Sequence, residues 1–130
     1  MEIKDKNNKL LAIILRYQDF SSGKYFATEN DQELQLATFD LEKNTVIEKH
    51  YHPEQQREIK TTSEVLVVME GQIEVEIFDD ELLLLHKDIL NKGDVLALYS
   101  GGHGLKLSQD SKFIEVKQGP FFPDIDKVRF

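Results

Sequence analysis

The chain has 130 residues, of which 40% are hydrophobic and 31% charged, and its formal net charge is −8. This length and composition fit a single domain spanning residues 1–130 and exclude a mainly disordered acidic chain. The negative charge argues against nucleic acid as a partner. No cysteine is present, which excludes disulfides and thiolate metal sites. Without a signal-like start or a long apolar span, the sequence predicts a cytoplasmic protein with no membrane segment.

The first half of the chain predicts short strands separated by turns. The apolar run at 10–16 favours a strand, although one or two buried helical turns fit the same residues. A turn is expected around Gly23, and alternation at 34–39 predicts a half-buried strand. Residues 44–52 are predicted to form the next strand, which Pro53 ends. The polar residues 53–62 predict a loop.

The second half continues the strand pattern. Strands are expected at 64–69 and 72–78 around a turn at Glu70-Gly71, and then at 82–85, 95–99, 103–107 and 113–117. Many short strands without an amphipathic helix predict an all-β sandwich or barrel. Periodicity does not choose among a jelly roll, a lipocalin-like barrel and an immunoglobulin-like sandwich. Polar ligands on inward strand faces favour a barrel that encloses a site.

The main candidate site is a set of metal-ligating side chains. His50 and His52 are two residues apart, so on a strand both imidazoles would point to one face. Glu64 begins an apolar run, where a buried carboxylate must be neutralised, hydrogen-bonded or metal-bound. His103 lies in a glycine-rich segment that only folding can bring to the others. Imidazoles with one carboxylate predict a divalent transition-ion site, whereas a solvent-facing His pair is the plainer alternative.

These residues resemble the two sequence motifs of the cupin superfamily. His50-Tyr51-His52, Glu64 and Glu70-Gly71 look like the first motif, and Gly93-Asp94 through Gly101-Gly102-His103 looks like the second. Eleven residues, 53–63, separate His52 from Glu64. The segments 101–104, 115–121 and 126–130 also resemble small single-domain cupins found among bacterial sugar and surface-polysaccharide biosynthesis proteins.

The resemblance implies a double-stranded β-helix, which is the cupin jelly-roll barrel. It also implies one divalent ion, zinc, manganese, iron, nickel or cobalt, held by His50, His52, Glu64 and His103. A local cationic rim over such an ion would favour a small anionic ligand, such as a carboxylated or phosphorylated carbohydrate. Arg57 and Lys60, in the polar loop, are the candidates to bind its anionic group.

Other polar residues have a functional and a structural interpretation. Glu115 and Lys117 either form a solvated strand face or line the barrel beside His103, as an acid and a base or as an ion pair that fixes a substrate. Tyr99 is a candidate substrate contact or a core aromatic residue. His86 is expected in a surface turn.

Three function classes follow from these candidates. The ion can act as a Lewis acid in an isomerase, epimerase or lyase-type step on a sugar. It can instead support an iron-dependent dioxygenase, or anchor a ligand in a non-catalytic binding or sensing module. The apolar run at 10–15 and the terminal Phe121, Phe122 and Phe130 further predict a homodimer through an edge strand or the tail.

Overall fold

The computed structural model describes all 130 residues as an all-β protein. It contains ten strands and one 3-10 turn, and it has no α-helix. The 3-10 turn is Tyr17–Asp19, and the strands are β1 Glu2–Lys4, β2 Leu10–Leu15, β3 Gly23–Phe26, β4 Ala37–Asp40, β5 Glu64–Glu70, β6 Gln72–Phe78, β7 Leu84–Asn91, β8 Val95–Leu98, β9 Gly102–Leu107 and β10 Lys112–Lys117. No helix has the length and apolarity needed to cross a bilayer. The all-β prediction is confirmed.

The strands form three antiparallel sheets. The largest has the order β1-β2-β8-β5-β10, a second has the order β7-β6-β9, and β3 pairs with β4. None of these three sheets closes on itself, so the structure does not show the closed barrel that the sequence predicts. The strands β9 and β10 each have one neighbour and therefore one free edge.

The main core lies between the five-stranded and three-stranded sheets. Alternate residues of β6, namely Ile73, Val75 and Ile77, are at most 1% exposed and face Leu66 and Val68 of β5 across the core cluster. Full burial of each such side chain contributes roughly 1.5–3 kcal/mol. Period-two alternation, which predicted β6 from the sequence, is thus the pattern of a strand with one buried face.

The strand β2 is buried on both faces, which explains its continuous apolar run. Leu11 and Ile14 belong to the main core, whereas Ile13 joins a second cluster with Ala97 and Tyr99 on the outer face. The segment around Ala27, Leu34 and Leu36 packs against this outer cluster. A strand covered on both faces shows no period, so the helical alternative could not be excluded locally.

The predicted strand at 44–52 is wrong for this structure. Residues 41–63 contain no strand, and those from 42 to 62 are exposed. A turn with Asn44 at φ 70° begins the segment, and no backbone hydrogen bond joins residues 46–62 to a neighbouring strand. A strand needs a ladder as well as alternation, and the sequence pattern reports only the alternation.

Two smaller predictions also change. The strand predicted at 82–85 starts at Leu84 and continues to Asn91, so His86 lies within β7 and not in a surface turn. The strand predicted at 34–39 is limited to Ala37–Asp40. The turn at Glu70-Gly71 is where the sequence predicted it, between β5 and β6.

Candidate functional site

A carboxylate and an imidazole from different sheets meet at one end of the core. Glu64 is the first residue of β5, and His103 is the second residue of β9. Glu64 lies opposite Leu98, and His103 lies opposite Ile77, so both side chains point to the interior face of their sheets. The distance between Glu64 Oε2 and His103 Nε2 is 3.3 Å, and their side chains are 16% and 33% exposed.

The Glu64 carboxylate is held in its charged form. The hydrogen bond with His103 lowers its pKa below the usual range. Burial opposes this shift, whereas the positive charges of His103, Lys117 and Lys127 reinforce it. An ionised carboxylate beside an imidazole offers one oxygen and one nitrogen donor to a metal ion or a polar ligand.

A second ion pair lies directly beside Glu64. Lys117, the last residue of β10, is the cross-strand partner of Glu64. Its Nζ is 2.6 Å from Asp126 Oδ2, and the two side chains are only 17% and 8% exposed. The hydrogen bond with Asp126 raises the pKa of Lys117 above its usual value. The Lys117 side chain therefore lies largely buried on the interior face of β10, opposite Glu64.

Asp126 comes from the last segment of the chain, residues 118–130, which we call the C-terminal strap. The strap starts with a hydrogen bond from Gln118 N to Ser63 O and then forms a turn in which Ile125 N and Asp126 N donate to Phe122 O. Asp126 is a site residue that sequence reasoning missed. No local pattern identifies it, because its partner is fixed only when the strap folds back on β10.

The end of the strap packs beside His103. The ring of Phe130 stands edge-on to Phe78 with 5.1 Å between centroids. A Cβ added to Gly102 would lie 2.8 Å from the Phe130 ring, so the strap needs a glycine next to His103. The strap is thus anchored on both sides of the Glu64–His103 pair.

His50 and His52 lie in the exposed segment 42–62 and not with Glu64 and His103. Their ring centroids are 5.3 Å apart. His50 Nδ1 donates to Glu48 O at 2.8 Å, which leaves Nε2 available as a ligand atom. No group of three or more potential metal-ligating residues is assembled. The four predicted ligands therefore form two pairs, joined by residues 53–63.

Comparison with known proteins places this chain in a family. Residues 23–90 match the family described as "Domain of unknown function (DUF6016)". This match covers more than half of the chain. The chain belongs to the DUF6016 family. No curated protein and no solved structure matches it.

The matched DUF6016 region carries three of the four predicted metal ligands. His50, His52 and Glu64 lie inside residues 23–90, whereas His103 and the strap lie beyond them. The family description names no activity.

The loop cations of the DUF6016 region stay in solvent. Arg57 is exposed, and its guanidinium meets Gln55 Oε1 at 3.5 Å. The Lys60 ammonium lies 3.2 Å from Glu58. The end of the loop is fixed by Glu33, whose carboxylate accepts hydrogen bonds from Thr61 and the Lys60 amide, and these bonds lower the pKa of Glu33.

The remaining candidates lie apart from the Glu64–His103 pair. Tyr99 is 6% exposed in the outer cluster, on the face of the sheet opposite Glu64. Its buried hydroxyl has no hydrogen-bond partner, and burial raises its pKa to about 12. Glu115 lies opposite Leu66 on the interior face of β10 but is exposed, because nothing covers that end of the strand.

A polar network outside the candidate site was not predicted. Arg16 binds Asp94 at 2.8 Å and Asp88 at 2.5 Å, and His86 Nε2 lies 3.4 Å from the same Asp88 oxygen. Asp94 also accepts hydrogen bonds from the amides of Tyr17 and Asn91. This network ties β2 to the β7–β8 turn, which is a structural role.

Proposed function

We propose that this protein is a cupin-like metal-binding protein that acts on a small anionic carbohydrate or sugar-derived metabolite. The observation that carries the proposal is the contact between Glu64 and His103 at 3.3 Å. The cupin resemblance nominated both residues as ligands of one ion, although they are far apart in the sequence and lie in different sheets. Their meeting at the interior face supports a shared site.

The order of strand pairing supports the corresponding fold, a double-stranded β-helix. β6 pairs with β7 and β5 with β8, after which β9 takes the other edge of β6 and β10 the other edge of β5. A long hairpin wound on itself into a jelly roll has this order. In the proposed metal-bound protein, the exposed segment that carries His50 and His52 would move to Glu64 and His103 and so complete the ligand set.

The residues fit a divalent transition ion. Three imidazoles and one carboxylate, from His50, His52, Glu64 and His103, suit zinc, manganese, iron, nickel or cobalt better than magnesium or calcium. The lowered pKa of Glu64 keeps its carboxylate ionised as a ligand, and the hydrogen bond from His50 Nδ1 to Glu48 O leaves His50 Nε2 as the atom that would bind the ion. The bound ion would act as a Lewis acid that polarises a carbonyl or hydroxyl group.

The charges around Glu64 support an anionic ligand despite the net charge of −8. Lys117 and Lys127 are both close enough to affect the pKa of Glu64. Local fields outweigh charges beyond a screening length of about 10 Å. The class of reaction that fits is an isomerase, epimerase or lyase-type step, for which Glu115 and Lys117 of β10 are the candidate acid and base.

The metal proposal is tested by elemental analysis of protein purified without a histidine tag. We expect about one equivalent of a transition metal per chain, and a large loss in His103→Ala and in the double variant His50→Ala/His52→Ala. The matched control is His86→Ala, which removes the fourth histidine and should keep the metal. Metal below about 0.1 equivalent in the unmodified protein, roughly the level of adventitious binding, would contradict the proposal.

A further inference from the structure

The ion pair between Lys117 and Asp126 joins the C-terminal strap to the candidate site. Lys117 stands between the Glu64 carboxylate, its cross-strand partner, and the Asp126 carboxylate at 2.6 Å. The Lys117 ammonium also lies 4.7 Å from the centre of the Phe121 ring. A lysine that is 17% exposed in this position needs a nearby anion, and Asp126 provides it.

The anion at Lys117 belongs to the strap and not to a sheet. Asp126 is 8% exposed, although the residues on either side of it, Ile125 and Lys127, are exposed. The strap therefore turns inward to place one carboxylate against Lys117. An exogenous carboxylate or phosphate would make the same charge-assisted hydrogen bond at this position.

We propose that Lys117 is the anion-binding residue of the site, and that Asp126 occupies its position until the carboxylate or phosphate of a ligand displaces the strap. This inference rests on the proposed function, because it names the residue that recognises the anionic ligand. It assigns to Lys117 the role that the sequence suggested for Arg57, which is exposed and contacts only Gln55 among the side chains.

The strap is attached weakly enough to be displaced. Between Gln118 and Phe130 its fixed points are the hydrogen bond to Ser63, the Lys117–Asp126 pair, and the packing of Phe130 on Phe78. All of its large apolar side chains remain largely exposed: Phe121, Phe122, Ile125, Val128 and Phe130. A segment with few buried contacts opens at low free-energy cost.

Calorimetric titration with inorganic phosphate and with D-glucuronate tests the proposal. Asp126→Asn removes the internal competitor and should tighten binding of both anions about tenfold, the factor expected for one charge-assisted hydrogen bond. Lys117→Gln should weaken binding by a similar factor. Neutral D-glucose should respond to neither substitution.

Two control variants separate the effect of the Lys117–Asp126 pair from the effect of net charge and from the effect of Arg57. Asp124→Asn makes the same charge change on an exposed strap residue, so its affinity should equal that of the unmodified protein. An equal gain in Asp124→Asn, or no gain in Asp126→Asn, would overturn the proposal. A loss in Arg57→Ala as large as that in Lys117→Gln would overturn the assignment to Lys117.

Hydrogen exchange provides a readout that does not depend on affinity. Saturating phosphate should speed exchange at the Ile125 and Asp126 amides, which donate to Phe122 O in the strap turn. Binding without faster exchange there would show that the strap stays in place. Repeating the titration after chelation separates the two proposals. Metal below about 0.1 equivalent before chelation would contradict the metal site, whereas the response to Asp126→Asn, measured with and without metal, tests the role of Lys117.

Discussion

At the residue scale, the structure brings charged side chains together in two places. Glu64, His103, Lys117 and Asp126 form a chain of charges at one end of the core, and Arg16 with Asp88 and Asp94 forms another at the β7–β8 turn. Both groups are partly buried, so each partner removed leaves an incompletely solvated charge. The group of Arg16, Asp88 and Asp94 lies outside the proposed ligand site, so its charges affect stability alone.

The Asp88 carboxyl should make stability depend on pH in the acid range. Burial alone would raise its pKa, but hydrogen bonds from the Ile89 amide, Arg16 and His86 outweigh burial and lower it. A carboxyl with a lower pKa in the folded chain stabilises it fully above the unfolded value of about 3.9, and this contribution disappears as pH falls through the folded value. Asp88→Asn should cost about 1.5–3 kcal/mol at pH 6 and flatten the stability curve below pH ~4.

Urea denaturation between pH 2 and 7 measures this effect. Asp80→Asn is the matched control, because Asp80 pairs with Lys9 at 2.6 Å on the surface, where both side chains are about half exposed. Such a pair is worth about 0–1 kcal/mol. Equal pH profiles for the two variants would contradict the stabilising role of the Arg16 network.

At the element scale, the turns and the strands with one buried face were the most predictable parts of the chain. β6 follows its alternation, and Gly71 occupies the turn between β5 and β6 with φ 83°. Residues 44–52 show that alternation without a partner edge does not suffice. They form no strand in the structure.

Gly71→Ala should destabilise the protein through both strain and contact. A Cβ at Gly71 would lie 2.3 Å from the Asp110 carbonyl oxygen and 2.8 Å from Ser111 Cα. Gly23 has a similar φ of 91°, but nothing lies within 4 Å of its added Cβ. We expect Gly23→Ala to cost about 1 kcal/mol, from backbone strain alone, and Gly71→Ala to cost at least about 1 kcal/mol more. Equal urea midpoints for Gly23→Ala and Gly71→Ala would contradict the predicted steric clash at Gly71.

At the scale of the whole molecule, the free sheet edges determine where another chain could pair. The N-terminal run predicted as part of a dimer surface is interior, since β2 pairs with β1 and β8 and Leu11 to Ile14 are at most 1% exposed. The exposed large apolar residues include several on β10 and the strap: Ile114, Val116, Phe121, Phe122 and Phe130. An apolar edge strand of this kind favours pairing with another chain.

We therefore expect a homodimer through the free edge of β10. Light scattering at tens of micromolar should give about twice the monomer mass of 15.1 kDa. Ile114→Lys, which places a charge on the outer face of that strand, should shift the mass toward the monomer, whereas Ile59→Lys on the exposed loop should not. A monomer mass for the unmodified protein would contradict the prediction.

The sequence by itself determined the all-β class, most strand positions and the turn at Gly71. Alternation of buried and exposed residues and the presence of turn residues are local properties of the chain. It also nominated Glu64, His103 and Lys117 from residue type and from the cupin resemblance. The meeting of Glu64 with His103 and the capture of Lys117 by Asp126 were decided only by the tertiary structure, since each contact joins segments that share no local pattern. The exposed position of His50 and His52 was likewise decided by the tertiary structure, because alternation does not report whether a neighbouring strand is present to pair with residues 44–52.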